Sequence, residues 1–231
     1  MSQSESNITE LESGFSTWLE KGLDSPLRTS VERIAIALRQ FSHNLHDGIP
    51  TLEQSESLAE LAENLLEAST HIGVRDHIPS MFDELREDTF NFFDHSPLSG
   101  PLSPVSVPLN LAIEGDKVVG RVNFGASFEG PPGHVHGGWV ASAFDEVMGM
   151  VQAHFSEPGM TGKLAVRYQK PTPLNTDLIF VAWIESIRGR KIVTRAEAFN
   201  GDEQIADAEG LFISVDFEAL RSSLEQKSGN S

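Results

Sequence analysis

The part of the sequence best equipped for chemistry is residues 130–150, where Gly137 and Gly138 precede an apolar run that contains Asp145. The run 139–155 has no proline, and helical spacing relates its apolar residues Val140, Ala143, Phe144, Val147 and Val151. Amide groups at a helix N-terminus are unpaired and carry partial positive charge, and glycines leave room for a ligand oxygen to reach them. Because an ionised carboxylate is costly to bury unless it is paired, Asp145 in a core helix calls for a function. An oxyanion site with a carboxylate further along the same helix is the minimal equipment for hydrolysing an acyl group.

The tripeptide His136-Gly137-Gly138, with Asp145 nine residues after the histidine, resembles the hotdog-fold acyl-CoA thioesterases of the phenylacetate-pathway (PaaI-like) type. The longer string Gly-Pro-Pro-Gly-His-Val-His-Gly-Gly is most similar to the branch that includes the mammalian mitochondrial members of the thioesterase superfamily. The resemblance covers roughly residues 105–216. It implies an α+β hotdog fold, in which an antiparallel sheet wraps around a central helix.

The resemblance also implies a site shared between two subunits of a homodimer or of a dimer of dimers. In such a site the Gly137 or Gly138 amide polarises the thioester carbonyl of acyl-CoA, and Asp145 of the facing subunit activates water or attacks directly. His136 would orient the thioester or the loop, and Thr161 would help to place the water. No metal and no redox cofactor is implied, since coenzyme A is part of the substrate.

A basic cluster at Arg188, Arg190 and Lys191 stands out in an acidic chain. The resemblance implies that these residues contact coenzyme A phosphates, to which arginine offers a planar fork and lysine a point charge. A solvated hairpin turn would account for the same residues. One departure lies upstream, where several relatives carry Asn or Gln and this sequence has Glu129. Either Glu129 replaces that side chain or the water is held differently.

Other interpretations of these residues remain open. Glu146 points about 100° away from Asp145 on a helix, so we expect a structural or solvent-facing role for it. His134 and His136 would share one face of a strand, but a histidine pair without further ligands is usually uncoordinated, so no metal site is expected. A non-catalytic acyl-CoA-binding or regulatory protein would have the same fold. So would a dehydratase of hydroxyacyl thioesters, which would pair His136 with a carboxylate.

The composition argues against several functional classes. The 231 residues include no cysteine and carry a formal net charge of −17, which rules out disulfides and disfavours nucleic acid and anionic membranes as partners. The polar, acidic N-terminus resembles neither a secretory signal nor a transit peptide, and no apolar run reaches transmembrane length. We therefore expect a cytoplasmic protein.

Residues 1–95 are predicted to be a helical N-terminal extension, because apolar residues recur at helical spacing near 11–19, 34–41, 58–66 and 82–93. Ser30 is the predicted N-cap of the second helix, and the third helical run is predicted to start at Thr51. Residues 96–107 are rich in proline and serine and are predicted to be a linker, short and apolar enough to lie against the second domain.

Residues 108–217 are predicted to form the hotdog domain, and residues 218–231 a polar tail. Strands are predicted at 109–113, 117–124, 163–169, 177–187, 191–199 and 203–215, with the helix after the second strand. Turns at Glu-Gly-Asp, Arg-Gly-Arg and Asn-Gly-Asp would join antiparallel neighbours. This element order matches an antiparallel sheet around one helix.

Overall fold

The computed structural model describes residues 25–73, 92–107 and 109–216. Within these ranges the α-helices are α1 (Pro26–Asp47), α2 (Leu52–Ser69) and α3 (Gly137–Phe155), and short 3-10 turns cover Phe92–His95 and Ala126–Phe128. The strands are β1 (Asn110–Glu114), β2 (Lys117–Asn123), β3 (Gly159–Tyr168), β4 (Asp177–Arg188), β5 (Lys191–Asn200) and β6 (Glu203–Ser214). The first predicted helix, most of the fourth and the polar tail lie outside the described residues. Among the described helices, none has the length and apolar character needed to cross a membrane.

The two N-terminal helices begin at recognisable signals, one of which differs from the prediction. Ser25 is the N-cap of α1 and Pro26 follows it, since proline suits the first helical position. The prediction of Ser30 as N-cap is therefore wrong; its hydroxyl donates to the Pro26 carbonyl inside the first turn. The predicted start of the next helix at Thr51 is confirmed, because the side chains of Thr51 and Gln54 form a reciprocal capping box.

The six strands form one antiparallel sheet in the order β1-β2-β4-β5-β6-β3. All three predicted hairpin turns are confirmed, and their glycines Gly115, Gly189 and Gly201 adopt positive φ angles of 66°, 57° and 59°. Strand β3 follows α3 and crosses to the far side of the sheet, where it pairs with β6. Both β1 and β3 are therefore edge strands. The predicted α+β hotdog architecture with N-terminal helices is confirmed.

Helix α3 packs against one face of the sheet and forms the centre of the core. Its buried face consists of Val140, Ala143, Phe144, Val147, Met148, Met150, Val151 and Gln152. The rings of Phe144 and Phe180 meet edge to face at 5.0 Å. Gly120 leaves no room for a side chain, since an added Cβ would lie 2.7 Å from Cγ1 of Val147. This close contact fixes the axis of α3, and with it the positions of the residues on its less buried side.

The predicted linker is packed onto the rest of the chain. Leu102 and Val107 are buried, at 2% and 0% exposure. Arg39 of α1 donates to the Ser103 carbonyl at 2.5 Å and to Ser106 Oγ at 3.1 Å. Helix α1 is thus tied to this segment, whereas α2 buries none of its residues. The division into extension, linker and hotdog domain stays a prediction.

Candidate active site

The first turn of α3 leaves one backbone amide without a partner. His136 is the N-cap, and its N–H donates to the Phe128 carbonyl at 2.8 Å. The Gly138 N–H donates to His136 Nδ1 at 3.0 Å, and the Trp139 N–H donates to the His136 carbonyl at 2.9 Å. Within the described ranges the Gly137 N–H alone among these four has no acceptor. Of the two predicted oxyanion donors, Gly137 is therefore the one that is free.

The His136 ring acts as a side-chain cap for α3. Accepting the Gly138 N–H requires a lone pair on Nδ1, so the proton of the neutral ring is on Nε2. Nε2–H is then a donor on an exposed side chain beside the free Gly137 amide. His134 is engaged differently, with Nδ1 at 2.9 Å from the Pro132 carbonyl oxygen. In the part of the chain that the structure describes, no group of three or more His, Asp or Glu could hold a metal ion.

Tyr168 fixes the first turn of α3 from the neighbouring strand. Its hydroxyl donates to the Gly137 carbonyl at 2.7 Å, and an added Cβ on Gly137 would lie 3.5 Å from the tyrosine ring. Burial raises the pKa of Tyr168, which keeps the hydroxyl protonated as a donor. The sequence alone predicts no role for Tyr168, although it is the only tyrosine in the chain.

Asp145 and Thr161 are brought together as a hydrogen-bonded pair. Thr161 Oγ1 donates to Asp145 Oδ1 at 2.9 Å, and the aspartate is half-buried. The register of β3 against β6 shifts between Thr161 and Lys163, a bulge made at Gly162. Because Thr161 lies opposite the buried Phe212, the bulge places it on the helix side of the sheet. The sequence predicts both residues of the pair, but their contact depends on this bulge.

Asp145 and Gly137 of one chain are too far apart to act on the same carbonyl group. They are eight residues apart in α3, which corresponds to about 12 Å along the helix axis. The two ends of β3 mark the two positions, since Tyr168 contacts Gly137 and Thr161 contacts Asp145. Within a single chain, Gly137 and Asp145 therefore lie near opposite ends of strand β3.

The two glutamates near the site have other partners. Glu146 Oε1 accepts from Ser96 Oγ at 2.8 Å and also from Ser99 Oγ, which holds the linker against α3. Glu129 Oε1 accepts the Gly133 N–H at 2.6 Å, and Oε2 lies 3.1 Å from His46 Nε2. The Gly133 hydrogen bond first, and His46 second, lower the pKa of Glu129. Both oxygens of Glu129 are thus engaged away from the Gly137 amide.

The residues of the predicted basic cluster are all exposed, but Arg190 differs from the other two in its hydrogen bonds. Arg190 donates from Nε and Nη2 to the Ser214 carbonyl at 3.0 and 2.9 Å. Arg188 and Lys191 are exposed at the β4–β5 turn. Lys191 lies opposite Ile213 of β6, which lies opposite the neighbour of Thr161 in β3. Two strand spacings put the turn about 10 Å from the Thr161 end of β3.

Comparison with known proteins finds thioesterases that are similar to this region. Residues 132–206 match the family model of the thioesterase superfamily. The chain is 34% identical over 93 residues to acyl-coenzyme A thioesterase THEM4 of Xenopus laevis, covering 39% of this chain and 42% of that protein. It is 36% identical over 95 residues to THEM4 of Rattus norvegicus, covering 40% of each. The match thus spans about two fifths of the length of these curated relatives.

A crystal structure of a thioesterase superfamily protein resembles this chain over a longer span. The two share 29% sequence identity and a TM-score of 0.69, with 80% of this chain and 90% of that chain covered. The covered part of this chain is longer than the region that contains the sheet and α3, so the similarity extends to residues N-terminal to β1. The fold of the helices and linker is in part shared with that protein.

Proposed function

We propose that this chain hydrolyses acyl-CoA thioesters to a free acid and coenzyme A, since residues 132–206 match the family model of the thioesterase superfamily. The observation that carries the proposal is the unpaired Gly137 amide at the N-terminus of the buried helix α3. A free N–H at that position can donate to an oxygen that gains negative charge during the reaction, and the helix dipole stabilises that charge further. The curated relatives are named acyl-coenzyme A thioesterases, which supports this choice of substrate class.

In the proposed reaction the thioester carbonyl oxygen accepts the Gly137 N–H. Asp145 removes a proton from water while the water oxygen forms a bond to the carbonyl carbon, or the carboxylate attacks that carbon directly and water then hydrolyses the anhydride. Collapse of the oxyanion breaks the carbon–sulfur bond, and the coenzyme A thiolate takes up a proton. Thr161 holds Asp145 Oδ1, which leaves Oδ2 for the water or the substrate.

We propose that two chains complete each site. No strand among the described residues pairs with the outer edge of β3, and such edges favour pairing with another strand. A two-fold axis near the middle of β3 would place Thr161 opposite Tyr168 of the partner subunit. Asp145 would then face the free Gly137 amide of the other chain. The dimer would thereby bring together two groups that lie about 12 Å apart along the helix of a single chain. A homodimer with a continuous sheet is the smallest such assembly, and a dimer of dimers keeps the same sites.

Coenzyme A phosphates are proposed to bind near the β4–β5 turn. Arg188 and Lys191 are exposed there, at the Asp145 end of β3. They are two neighbouring basic side chains in a chain whose net charge is −17. Arg190 supports the turn through the Ser214 carbonyl, so we assign it a structural role in this binding site.

The decisive experiment measures thiol release from a panel of short, long and aromatic acyl-CoA substrates. Asp145→Asn should lower kcat by about 10²–10⁴-fold, because it removes the base or nucleophile and leaves the Thr161 contact in place. Asp116→Asn, in the exposed β1–β2 turn, is the matched control and should retain the wild-type rate. Thr161→Val should cost about two- to tenfold, and Thr161→Ser should restore most of that loss.

Three outcomes would contradict the proposal. Turnover of Asp145→Asn at the wild-type rate would remove Asp145 from the mechanism. Binding of acyl-CoA without thiol release by the wild-type chain would indicate a binding or regulatory protein. Formation of an enoyl product without thiol release would indicate a dehydratase.

A further inference from the structure

The C-terminal half of α1 lies on the 3-10 turn Ala126–Phe128, just upstream of the candidate site. His43 Nδ1 accepts the Ser127 N–H at 3.1 Å and lies 2.8 Å from Ser127 Oγ. The His43 ring meets the Phe128 ring edge to face at 5.5 Å. Gly125 makes room for this ring, since an added Cβ would lie 2.8 Å from His43 Cε1. The helix therefore fits this turn through one closely packed histidine.

One helical turn further along α1, His46 binds the loop that leads into α3. Its Nε2 is 3.1 Å from Glu129 Oε2, while Glu129 Oε1 accepts the Gly133 N–H at 2.6 Å. Gly133 has a φ of 74°, a conformation in which side chains other than glycine are strained. The carboxylate of Glu129 thus joins this glycine-dependent turn of the loop to α1.

The segment 125–129, which α1 contacts, also positions the N-cap of α3. The Phe128 carbonyl accepts the His136 N–H at 2.8 Å, and the Phe128 ring lies 5.0 Å from that of Trp139 in the first turn of α3. Gly130 has no space for a side chain, because an added Cβ would lie 2.7 Å from the Cα of His136. A shift of the segment would therefore move His136, and with it the direction of the adjacent Gly137 amide.

We propose that α1 sets the geometry of the oxyanion site, with Glu129 as a positioning residue that fixes the loop 130–135 against His46. This inference rests on the proposed function, because it assigns a role in orienting the Gly137 donor. Positioning of a donor changes the rate of the chemical step more than the binding of substrate. Loss of the Glu129 contacts should therefore lower kcat and leave KM nearly unchanged.

The test compares full-length variants by acyl-CoA kinetics and by hydrogen exchange of the peptide spanning 129–136. Glu129→Ala should lower kcat by about ten- to hundredfold and speed exchange in this peptide. Glu129→Gln keeps an oxygen that accepts the Gly133 N–H and adds an NH2 group that can donate to Nε2 of a neutral His46, so it should restore most of both effects. Gly125→Ala should reproduce the loss by displacing His43. Glu114→Ala, which removes an exposed ion pair with Arg121 in the β1–β2 hairpin, is the matched control.

Each result bears on the inference. Wild-type kcat and exchange in both Glu129→Ala and Gly125→Ala would overturn it, as would a Glu129→Gln variant as impaired as Glu129→Ala, since charge rather than position would then matter. If the wild-type chain releases no thiol from any substrate, the proposed function fails. Exchange in 129–136 still decides in that case: faster exchange in the two variants but not in Glu114→Ala supports the coupling to α1, and unchanged exchange refutes it.

Discussion

Replacing Gly137 with proline removes the proposed oxyanion donor and little else. Position 137 is the first residue of α3, where proline is tolerated because its missing N–H has no partner in the helix. The preceding His136 has φ −62° and ψ 130°, the extended conformation that a residue before proline prefers. Gly137→Ala is the matched control, because it keeps the N–H and its Cβ would make an ordinary 3.5 Å contact with Tyr168.

The size of the expected effect follows from the role of this one hydrogen bond. Removing a single oxyanion donor costs about 10²–10³-fold in kcat, or about 2.7–4 kcal/mol of transition-state stabilisation. The free energy of unfolding should not fall with it, since the deleted N–H has no acceptor among the described residues. Gly137→Pro should thus separate activity from stability, whereas Gly137→Ala should keep both.

The assay is thiol release under saturating acyl-CoA, with denaturant unfolding of the same samples. Mixing Gly137→Pro with Asp145→Asn adds a second readout, because a hybrid dimer contains one site with both groups intact. Random reassociation would restore up to about a quarter of the wild-type sites. Equal kcat for Gly137→Pro and Gly137→Ala would refute the oxyanion assignment, and no recovery in reassociated mixtures would refute the shared site.

Three further predictions concern neighbouring residues. His136→Asn places an amide oxygen where Nδ1 caps α3, so it should retain most of the activity and the stability of the wild type. His136→Ala, which has no cap, should lower the free energy of unfolding by about 0.5–2 kcal/mol in denaturant unfolding. A His136→Asn variant that is stable but inactive would show instead that the imidazole takes part in the chemistry. Burial lowers the pKa of His43 below its usual 6.5, so the stability it contributes is complete above pH 6.5 and is lost as the pH falls from 6.5 through the folded-state pKa. Unfolding measured against pH should show a smaller decline there for His43→Asn, and an identical decline would contradict the buried neutral ring. Arg188→Ala and Lys191→Ala should raise KM for acyl-CoA in a salt-dependent way, whereas Arg190→Ala should mainly lower the free energy of unfolding; equal salt-dependent KM effects for all three would contradict the structural role of Arg190.

Local patterns were sufficient to predict the sheet and the central helix, because strand alternation, glycine turns and helical spacing act over a few residues. The helical pattern also drew attention to Asp145 and the glycine pair, whereas Thr161 was predicted from the family resemblance. These patterns could not choose between Gly137 and Gly138, since that choice depends on how the His136 ring is turned. They also missed the partners of Glu129, because His46 lies 83 residues away in sequence and belongs to a helix with no motif of its own.

The path of β3 affects the order in which the molecule can form. This strand leaves α3 and pairs with the last strand, β6, so Thr161 meets Phe212 across a long stretch of sequence. Contacts so distant in the chain are made late and slowly, after the local hairpins of β4, β5 and β6 have closed. On a ribosome, the Thr161–Asp145 pair would have to wait until residues 203–214 had emerged from the exit tunnel. We therefore expect the Asp145–Thr161 contact to reach its final geometry only after β3 has paired with β6.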